Sequence, residues 1–287
     1  MVLIVWKGGT QSSYTKDKVK IRVIHLQEGS MKYVRKEGSM KNIAVIFAGG
    51  SGTRMHAKDK PKQFLMVHGK PIIVHTLEHF QNHLDIDGIV VVCIKEWISY
   101  MKEMKIRYQL DKIESIVPGG ETGQLSIYNG LQETKRLYGI RNVIVLIHDG
   151  VRPLIDGELI TKNIRAVETY GSAISCGDTK ETVALVDDSQ GIETIVERKR
   201  SKIAKAPQSF FLSDILEMEE KAIQSGMTNM IDSCTLMHYF GKKLHMVGCE
   251  AGNIKITTPE DFYMFRAVYD ARENEQLAAN AGTVSEV

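Results

Sequence analysis

Apolar runs that end in glycine-rich or polar turns alternate with helical patterning along most of this chain. Residues 42–47 make the first run, and Ala48-Gly49-Gly50-Ser51-Gly52-Thr53-Arg54-Met55 closes it. A short apolar run bounded by turn residues reads as a buried strand. Residues 71–81 follow with Ile72, Ile73, Leu77 and Phe80 at helical spacing and Pro71 at the start, a position proline favours. The unbroken run at 88–94, Gly-Ile-Val-Val-Val-Cys-Ile, predicts a parallel strand covered on both faces. A mixed helix is expected over 96–110, a short strand over 115–117 closing on Pro118-Gly119-Gly120, and a helix over 126–137 with Ile127, Leu131 and Leu137 inward. Residues 142–147, Asn-Val-Ile-Val-Leu-Ile, read as another buried strand ending in His148-Asp149.

The pattern then changes. Two β-prone runs, 182–186 and 192–196, flank Asp187-Asp188-Ser189-Gln190-Gly191, which predicts a hairpin. It offers few core positions, so a projecting arm that meets a partner is its natural use. Residues 213–224 read as a helix capped by Ser213, and 244–247 as a strand. Thr258-Pro259-Glu260-Asp261 opens a last helix with a cap, a proline and first-turn acids. From about residue 273 the sequence turns polar and small, and a frayed tail is expected there. Strands alternating with helices predict an α/β fold built on a mostly parallel twisted sheet.

Residues 1–39 lack clear periodicity and are expected to be poorly ordered. Gln27-Glu28-Gly29-Ser30 before Met31 and Lys36-Glu37-Gly38-Ser39 before Met40 correspond to purine-rich codons, like a bacterial ribosome-binding site. Met31 or Met40 is therefore expected to be the natural start, which an intact mass beginning at Met1 would contradict.

With 287 residues, 43% of them apolar and 25% charged, the chain is long enough for a sizeable core. The net charge of +2 argues against broad nucleic-acid binding and leaves cations free to gather at one anionic site. Cys93, Cys176, Cys234 and Cys249 form no C-x-x-C pair and read as thiols of a reducing, cytoplasmic compartment. No apolar run approaches the ~20 residues of a membrane span. His75, His79 and His83 recur every fourth residue of one helix, where a solvated face is expected rather than a metal site.

The chemistry concentrates at three predicted strand ends: 49–62, 119–126 and 148–153. In α/β sheets the carboxyl ends of strands are where ligands bind. The glycines of the first turn let main-chain N–H groups approach an anion, and Arg54 and Lys62 add positive charge, so the stretch suits a polyphosphate. A dinucleotide fingerprint would need glycine where Met55 stands, and a Walker A loop would need a Gly-Lys-Ser/Thr that is absent. A Rossmann-type oxidoreductase domain and a plain strand-to-helix turn stay open at this point as alternatives.

Motifs now accumulate in one order: A-G-G-S-G-T-R-M with P-K-Q-F-L, then the Gly119-Gly120 stretch reaching Ser126-Ile127, H-D-G-V-R-P, A-P-Q-S-F and N-I-K-I-T-T-P-E-D. Over roughly residues 40–270 the chain resembles the cytidylyltransferases that make CDP-linked polyols, with a methylerythritol-phosphate branch and a ribitol-phosphate branch. The resemblance implies a Rossmann-like sheet with helices on both faces, a homodimer embraced by the 178–206 arm, and use of CTP with Mg²⁺. It implies a domain spanning 40–272. Carried over by motif, Ala48, Gly49, Gly50, Arg54 and Lys62 would hold the triphosphate, with Arg54, Lys62 and Lys255 catalytic. Gly120, Glu121 and Ser126 would line the base and ribose pocket. Asp149, Arg152 and Lys255 would face the incoming phosphate, with Asp149 also toward the metal. Thr182 and Arg198 would bind the polyol phosphate, Arg198 across the dimer.

Two departures stand out. Gly123 occupies the position of a family arginine, for which Gln124 is a substitute amide contact to the base, and Glu181-Thr182 replaces Asp-Thr. These departures lean the expected acceptor toward ribitol 5-phosphate rather than methylerythritol phosphate. Plainer readings accompany the site residues: Asp149 as a turn residue, Arg152 in a structural ion pair, Lys255 on the surface, and Arg198 in a solvated charge run.

Overall fold

The computed structural model describes residues 39–50 and 60–282. Expectations for residues 1–38, and for Ser51, Gly52, Arg54 and Met55, lie outside the described residues.

The chain opens with β1 (Lys41–Ala48), passes the short pair β2 (Met66–Val67) and β3 (Lys70–Pro71), and continues into α1 (Ile72–Asn82). Next come β4 (Gly88–Cys93), α2 (Ile98–Arg107), β5 (Ile113–Pro118), α3 (Gly123–Tyr138) and β6 (Val143–Asp149). The second half holds α4 (Gly157–Tyr170), β7 (Ser172–Asp178), the hairpin β8 (Val183–Val186) and β9 (Ile192–Val196), and β10 (Lys202–Phe211). It ends with α5 (Leu212–Gln224), α6 (Ser233–Tyr239), β11 (Met246–Gly248) and α7 (Pro259–Gly282).

Seven strands form one sheet in the order β11-β7-β10-β6-β1-β4-β5. All neighbours are parallel except β10, which runs antiparallel to both β6 and β7. The middles of the central strands are apolar without interruption, as in Ile43–Ala48 and Val143–Ile147, because each face has its own cover. Ala44, Ile46, Ile89, Val91, Ile144 and Leu146 face α1, α2 and α4, while Ile43, Val45, Val90, Val92, Val143 and Val145 face α3, α5 and α6.

A third, smaller core joins Val67, Ile72, Val151, Leu154, Ile256 and Phe265, with Leu65, Ile254, Phe262, Val268 and Tyr269 packed around it. Phe262, Phe265 and Tyr269 recur at helical spacing, so one face of α7 seals this core.

The hairpin forms as expected and projects. Leu185, Val186, Ile192 and Ile195 are each more than half exposed.

Several local expectations change. Ser213 does not cap α5, because the helix already begins at Leu212, with Phe211 at the cap position and no side-chain hydrogen bond. The last helix extends to Gly282, and small and polar residues there are compatible with helix. The α1 histidines are not a solvated face. His75 is buried with Nε2 against the Val67 carbonyl at 2.9 Å, His79 meets the Pro153 carbonyl at 3.1 Å, and His83 meets the Gly157 carbonyl at 3.1 Å. They tie α1 and its C-terminal end to β2, to the loop after β6 and to the start of α4. Sequence patterning missed α4, β7 and β10. The first is amphipathic, with Leu159, Ile160, Ile164 and Val167 buried, and Asp156 caps it by accepting from the Leu159 N–H at 2.7 Å.

Gln124 and Glu219 form a buried polar pair between α3 and α5, with Gln124 Nε2 donating to Glu219 Oε2 at 2.9 Å. Burial pushes the Glu219 carboxyl up to about 7, against which the Gln124 amide acts only weakly. A raised folded-state value stabilises most below the unfolded carboxylate range, near 4.5, and that stabilisation is lost as pH rises through 7. Glu219→Gln should therefore melt closer to wild type at pH 5 and above it at pH 8. Parallel melting curves with a constant gap at both pH values would contradict this.

Candidate active site

Four strand ends meet along one edge of the sheet. Phe47 is in register with Asp149, Ala48 with Cys93, and Cys93 with Pro118. Loop hydrogen bonds lock the register: Gly150 N–H donates to the Phe47 carbonyl at 2.8 Å, and Gly119 N–H to the Cys93 carbonyl at 2.9 Å. The described parts of the three polar clusters singled out in the sequence therefore lie at the same edge of the sheet.

The first cluster begins at Ala48, Gly49 and Gly50. A Cβ on Gly49 would lie 2.8 Å from the Phe47 ring, so any larger residue would have to displace that ring. Lys62 stands in a short 3-10 turn, Lys62–Phe64, and is buried there. The turn is fixed from both sides. Gln63 Nε2 donates to the Ala48 carbonyl at 2.7 Å, and Phe64 stacks on Trp97 with ring centres 5.1 Å apart. The P-K-Q segment is thereby held against the end of β1. Arg54 lies outside the described residues, so its place at this edge is not part of this geometry.

The second cluster is organised by Ser126. Its Oγ accepts from the Gly120 N–H at 2.9 Å and donates to the Thr122 carbonyl at 2.7 Å. A Cβ on Gly119 would sit 3.0 Å from that oxygen, and one on Gly49 would sit 3.5 Å from it. Ser126 is buried, so it holds the 120–122 turn from behind and lies alongside Gly49, while Gly120 and Glu121 are exposed. Thr122 caps α3 by accepting from the Leu125 N–H at 3.1 Å.

Gln124 does not face the base pocket as a substitute for the missing arginine. Besides Glu219, its Nε2 donates to the Met227 carbonyl at 3.1 Å, and its Oε1 accepts from the Met230 N–H at 2.8 Å. All its polar atoms are committed to holding residues 227–230 beside the second glycine turn. Gly123 leaves open space, with no atom within 4 Å of a Cβ there.

The third cluster has one carboxylate between two cations. Arg152 Nε donates to Asp149 Oδ2 at 2.8 Å, and Lys255 Nζ donates to Asp149 Oδ1 at 2.8 Å. Burial alone would raise the Asp149 carboxyl, but Lys255 and Arg152 outweigh it and hold the group well below the usual carboxylate range. Arg152 Nη1 also donates to the Asn253 carbonyl at 3.1 Å, and Asn253 Nδ2 to the Ala206 carbonyl at 2.7 Å. Those bonds bind the H-D-G-V-R-P, A-P-Q-S-F and N-I-K-I-T segments into one unit. Neighbouring His148 is buried and neutral, its imidazole pushed down to about 3 by desolvation, so it is no proton donor at neutral pH.

The plainer readings of Arg152 and Asp149 thus hold in part: they are an ion pair, but one placed at the end of β6 among the other strand ends. Lys255 is 42% exposed, so its outer side is open to solvent. Thr182 and Arg198 bond each other, Arg198 Nη2 to Thr182 Oγ1 at 3.1 Å, on the exposed arm. No contact among the described residues joins that pair to Asp149 within one chain. Gln63 and Asn253 are organising residues that sequence reasoning passed over. The signal for each was its place beside a lysine, in P-K-Q and N-I-K.

All three loops rest on the third core. Leu65 and Val67 follow Lys62, Val151 and Leu154 flank Arg152, and Ile254 and Ile256 flank Lys255. Ile256 N–H donates to the Val151 carbonyl at 2.9 Å, which fixes two of these loops to each other.

The model of the 2-C-methyl-D-erythritol 4-phosphate cytidylyltransferase family, IspD, matches residues 42–270. A ribitol-5-phosphate cytidylyltransferase of Streptococcus agalactiae is 57% identical over 238 residues, 83% of this chain and 99% of that protein. A 2-C-methyl-D-erythritol 4-phosphate cytidylyltransferase of Clostridium acetobutylicum is 35% identical over 77% of this chain and 94% of its own length. Among solved structures, a 4-diphosphocytidyl-2C-methyl-D-erythritol synthase of Anaerococcus prevotii superposes with a TM-score of 0.69 at 29% identity, covering 82% of this chain and all of that one.

Proposed function

We infer the reaction from one premise: the chain belongs to the 2-C-methyl-D-erythritol 4-phosphate cytidylyltransferase family. It is a nucleotidyltransferase that moves CMP from CTP to a polyol phosphate, giving a CDP-polyol and pyrophosphate. Membership excludes the oxidoreductase alternative. The higher identity to a ribitol-5-phosphate cytidylyltransferase supports ribitol 5-phosphate as the acceptor, with methylerythritol phosphate second.

The observation that carries the reading is the Asp149 carboxylate holding Arg152 and Lys255 at the end of β6, beside two glycine turns. The nucleophile is an oxygen of the acceptor phosphate, whose second pKa is about 6, so at neutral pH it needs no base. It forms a bond to the α-phosphorus of CTP as the bond from that phosphorus to the bridging oxygen breaks, and pyrophosphate leaves with the electron pair. The obstacle is repulsion between two anions, and electrostatic preorganisation is what a site can offer against it. Lys62 and the main-chain donors of Gly49 and Gly50 suit the triphosphate, together with Arg54. Arg152 and Lys255 suit the acceptor phosphate and the charge that grows on the equatorial oxygens. Gly120 and Glu121 line the nucleoside side, on the frame set by Ser126.

Mg²⁺ sites at phosphates commonly use one or two carboxylates plus the phosphates themselves. Asp149 is ionised but already shared by two cations, and no cluster of three or more acidic, histidine or cysteine ligands occurs among the described residues. The donor set therefore fits an ion that arrives on the triphosphate, with Asp149 as its protein ligand. Bound there, Mg²⁺ would neutralise phosphate charge.

The exposed apolar residues of the arm, and the placing of Thr182 and Arg198 on it, support a homodimer in which the arm carries that pair to the partner's site. Sedimentation of a single monomeric species at micromolar concentration would contradict the dimer. No helix among the described residues is long and apolar enough to cross a membrane.

Pyrophosphate release from CTP, measured with each acceptor in turn, tests the reaction. Ribitol 5-phosphate is expected to give a kcat/KM at least tenfold above that for methylerythritol phosphate. The reverse order would move the protein to the other branch, and no release with either would overturn the reading.

A further inference from the structure

A fourth cation stands beside the acceptor cluster. Lys205 lies on β10, where the ladder with β7 breaks between Ala204 and Gln208. Breaks of this kind re-aim side chains, and they gather next to active sites. Here the Lys205 side chain runs over Gly177 of β7: a Cβ on that glycine would lie 3.1 Å from Lys205 Cε and 3.3 Å from its Nζ. Glycine at 177 therefore gives the lysine its path. Its Nζ reaches the Ala251 carbonyl at 3.4 Å, a long and weak contact, and no carboxylate among the described residues lies within ion-pair distance of it.

Neighbouring acids are committed elsewhere. Asp178 pairs with Lys202, and Asp149 pairs with Arg152 and Lys255. Burial foremost holds the Lys205 ammonium below the usual lysine range; Cys249 acts against this and the positive charge of Arg152 adds to it. The next residue, Ala206, is hydrogen-bonded to Asn253, whose own carbonyl accepts from Arg152. Lys205 is thus tied through its neighbour Ala206 and Asn253 to the segment that carries Arg152, while Arg152 and Lys255 share the Asp149 carboxylate. A phosphate monoester dianion is an anion that a lysine without a carboxylate partner can bind there.

We propose that Lys205 is a binding residue for the phosphate of the acceptor substrate, acting beside Arg152 and Lys255 and not on the triphosphate. This deepens the proposed function and rests on it. Sequence reading had no signal for it, because a lysine in a β-prone, lysine-rich stretch looks like solvated surface.

The test compares wild type, Lys205→Met and Lys205→Arg by pyrophosphate release, with ribitol 5-phosphate varied at saturating CTP and then CTP varied at saturating acceptor. Methionine keeps the stem and removes the charge. We expect Lys205→Met to raise KM for the acceptor tenfold or more while KM for CTP stays within twofold, and Lys205→Arg to recover acceptor KM to within about threefold. An unchanged acceptor KM in Lys205→Met overturns the assignment, as does an equal rise in both KM values or an arginine variant as weak as the methionine one. Absence of turnover in the wild type with any polyol phosphate would instead defeat the reaction itself, and it is read on a different protein sample.

Discussion

Lys255→Ala is expected to lower kcat by about 10²–10³-fold while the protein stays folded, the usual cost of deleting one donor aimed at developing charge. The geometry separates the two effects. Asp149 is the buried partner, at 16% exposure, and it keeps Arg152 Nε at 2.8 Å when Lys255 is gone, so the carboxylate is not stranded. Lys255 itself is largely open to solvent, and half-exposed ion pairs contribute little to stability. On the proposed mechanism, what the variant loses is a positive charge offered to a phosphate. Initial rates of pyrophosphate release and a melting curve on the same preparation check this. A rate within tenfold of wild type would remove Lys255 from the chemistry, and a collapse of the melting transition would make it structural. Lys62→Ala is expected to behave similarly, from the triphosphate side of the proposed site.

Phe265→Ala should act through the support of the loops. Phe265 is fully buried on the third core, packed with Ile256 and Val151 and edge-on to His75 with ring centres 5.6 Å apart. Truncating a buried phenylalanine to alanine typically costs about 3–5 kcal/mol. The same cavity opens beneath the segments that carry Lys62, Arg152 and Lys255, and sub-ångström misplacement of such groups is expensive in rate. We therefore expect a lower urea midpoint together with a fall in kcat that persists where the protein is fully native. A destabilised variant with wild-type kcat under native conditions would show that α7 braces the fold but does not position the loops.

Much of the sheet was legible from residues 40–150, because strands buried on both faces are apolar without interruption and their glycine ends are conspicuous. The second half was harder to read. β10 begins with the polar stretch Lys202 to Lys205 and carries Pro207 and Gln208, since its outer half lies near the exposed arm and its inner half is buried by pairing that the sequence does not announce. Ser213 looked like a cap because serine usually is one, but the chain enters α5 directly from β10. In the site, the cations were identifiable by motif, whereas their partners were not. Nothing local in Gln124 says that it will face Glu219, 95 residues away, instead of a nucleotide base. Nor does the spacing of the α1 histidines reveal the three carbonyls that they meet.

Ser126 has a consequence that reaches beyond its own hydrogen bonds. Its hydroxyl is bonded into the 120–122 turn and lies alongside Gly49. On the proposed assignment, the cradle for the phosphates and the slot for the nucleoside are then neighbours across one oxygen, not independent modules that selection or design could exchange one at a time. A substitution at 126 made to alter the choice of base would be expected to alter the grip on the triphosphate as well.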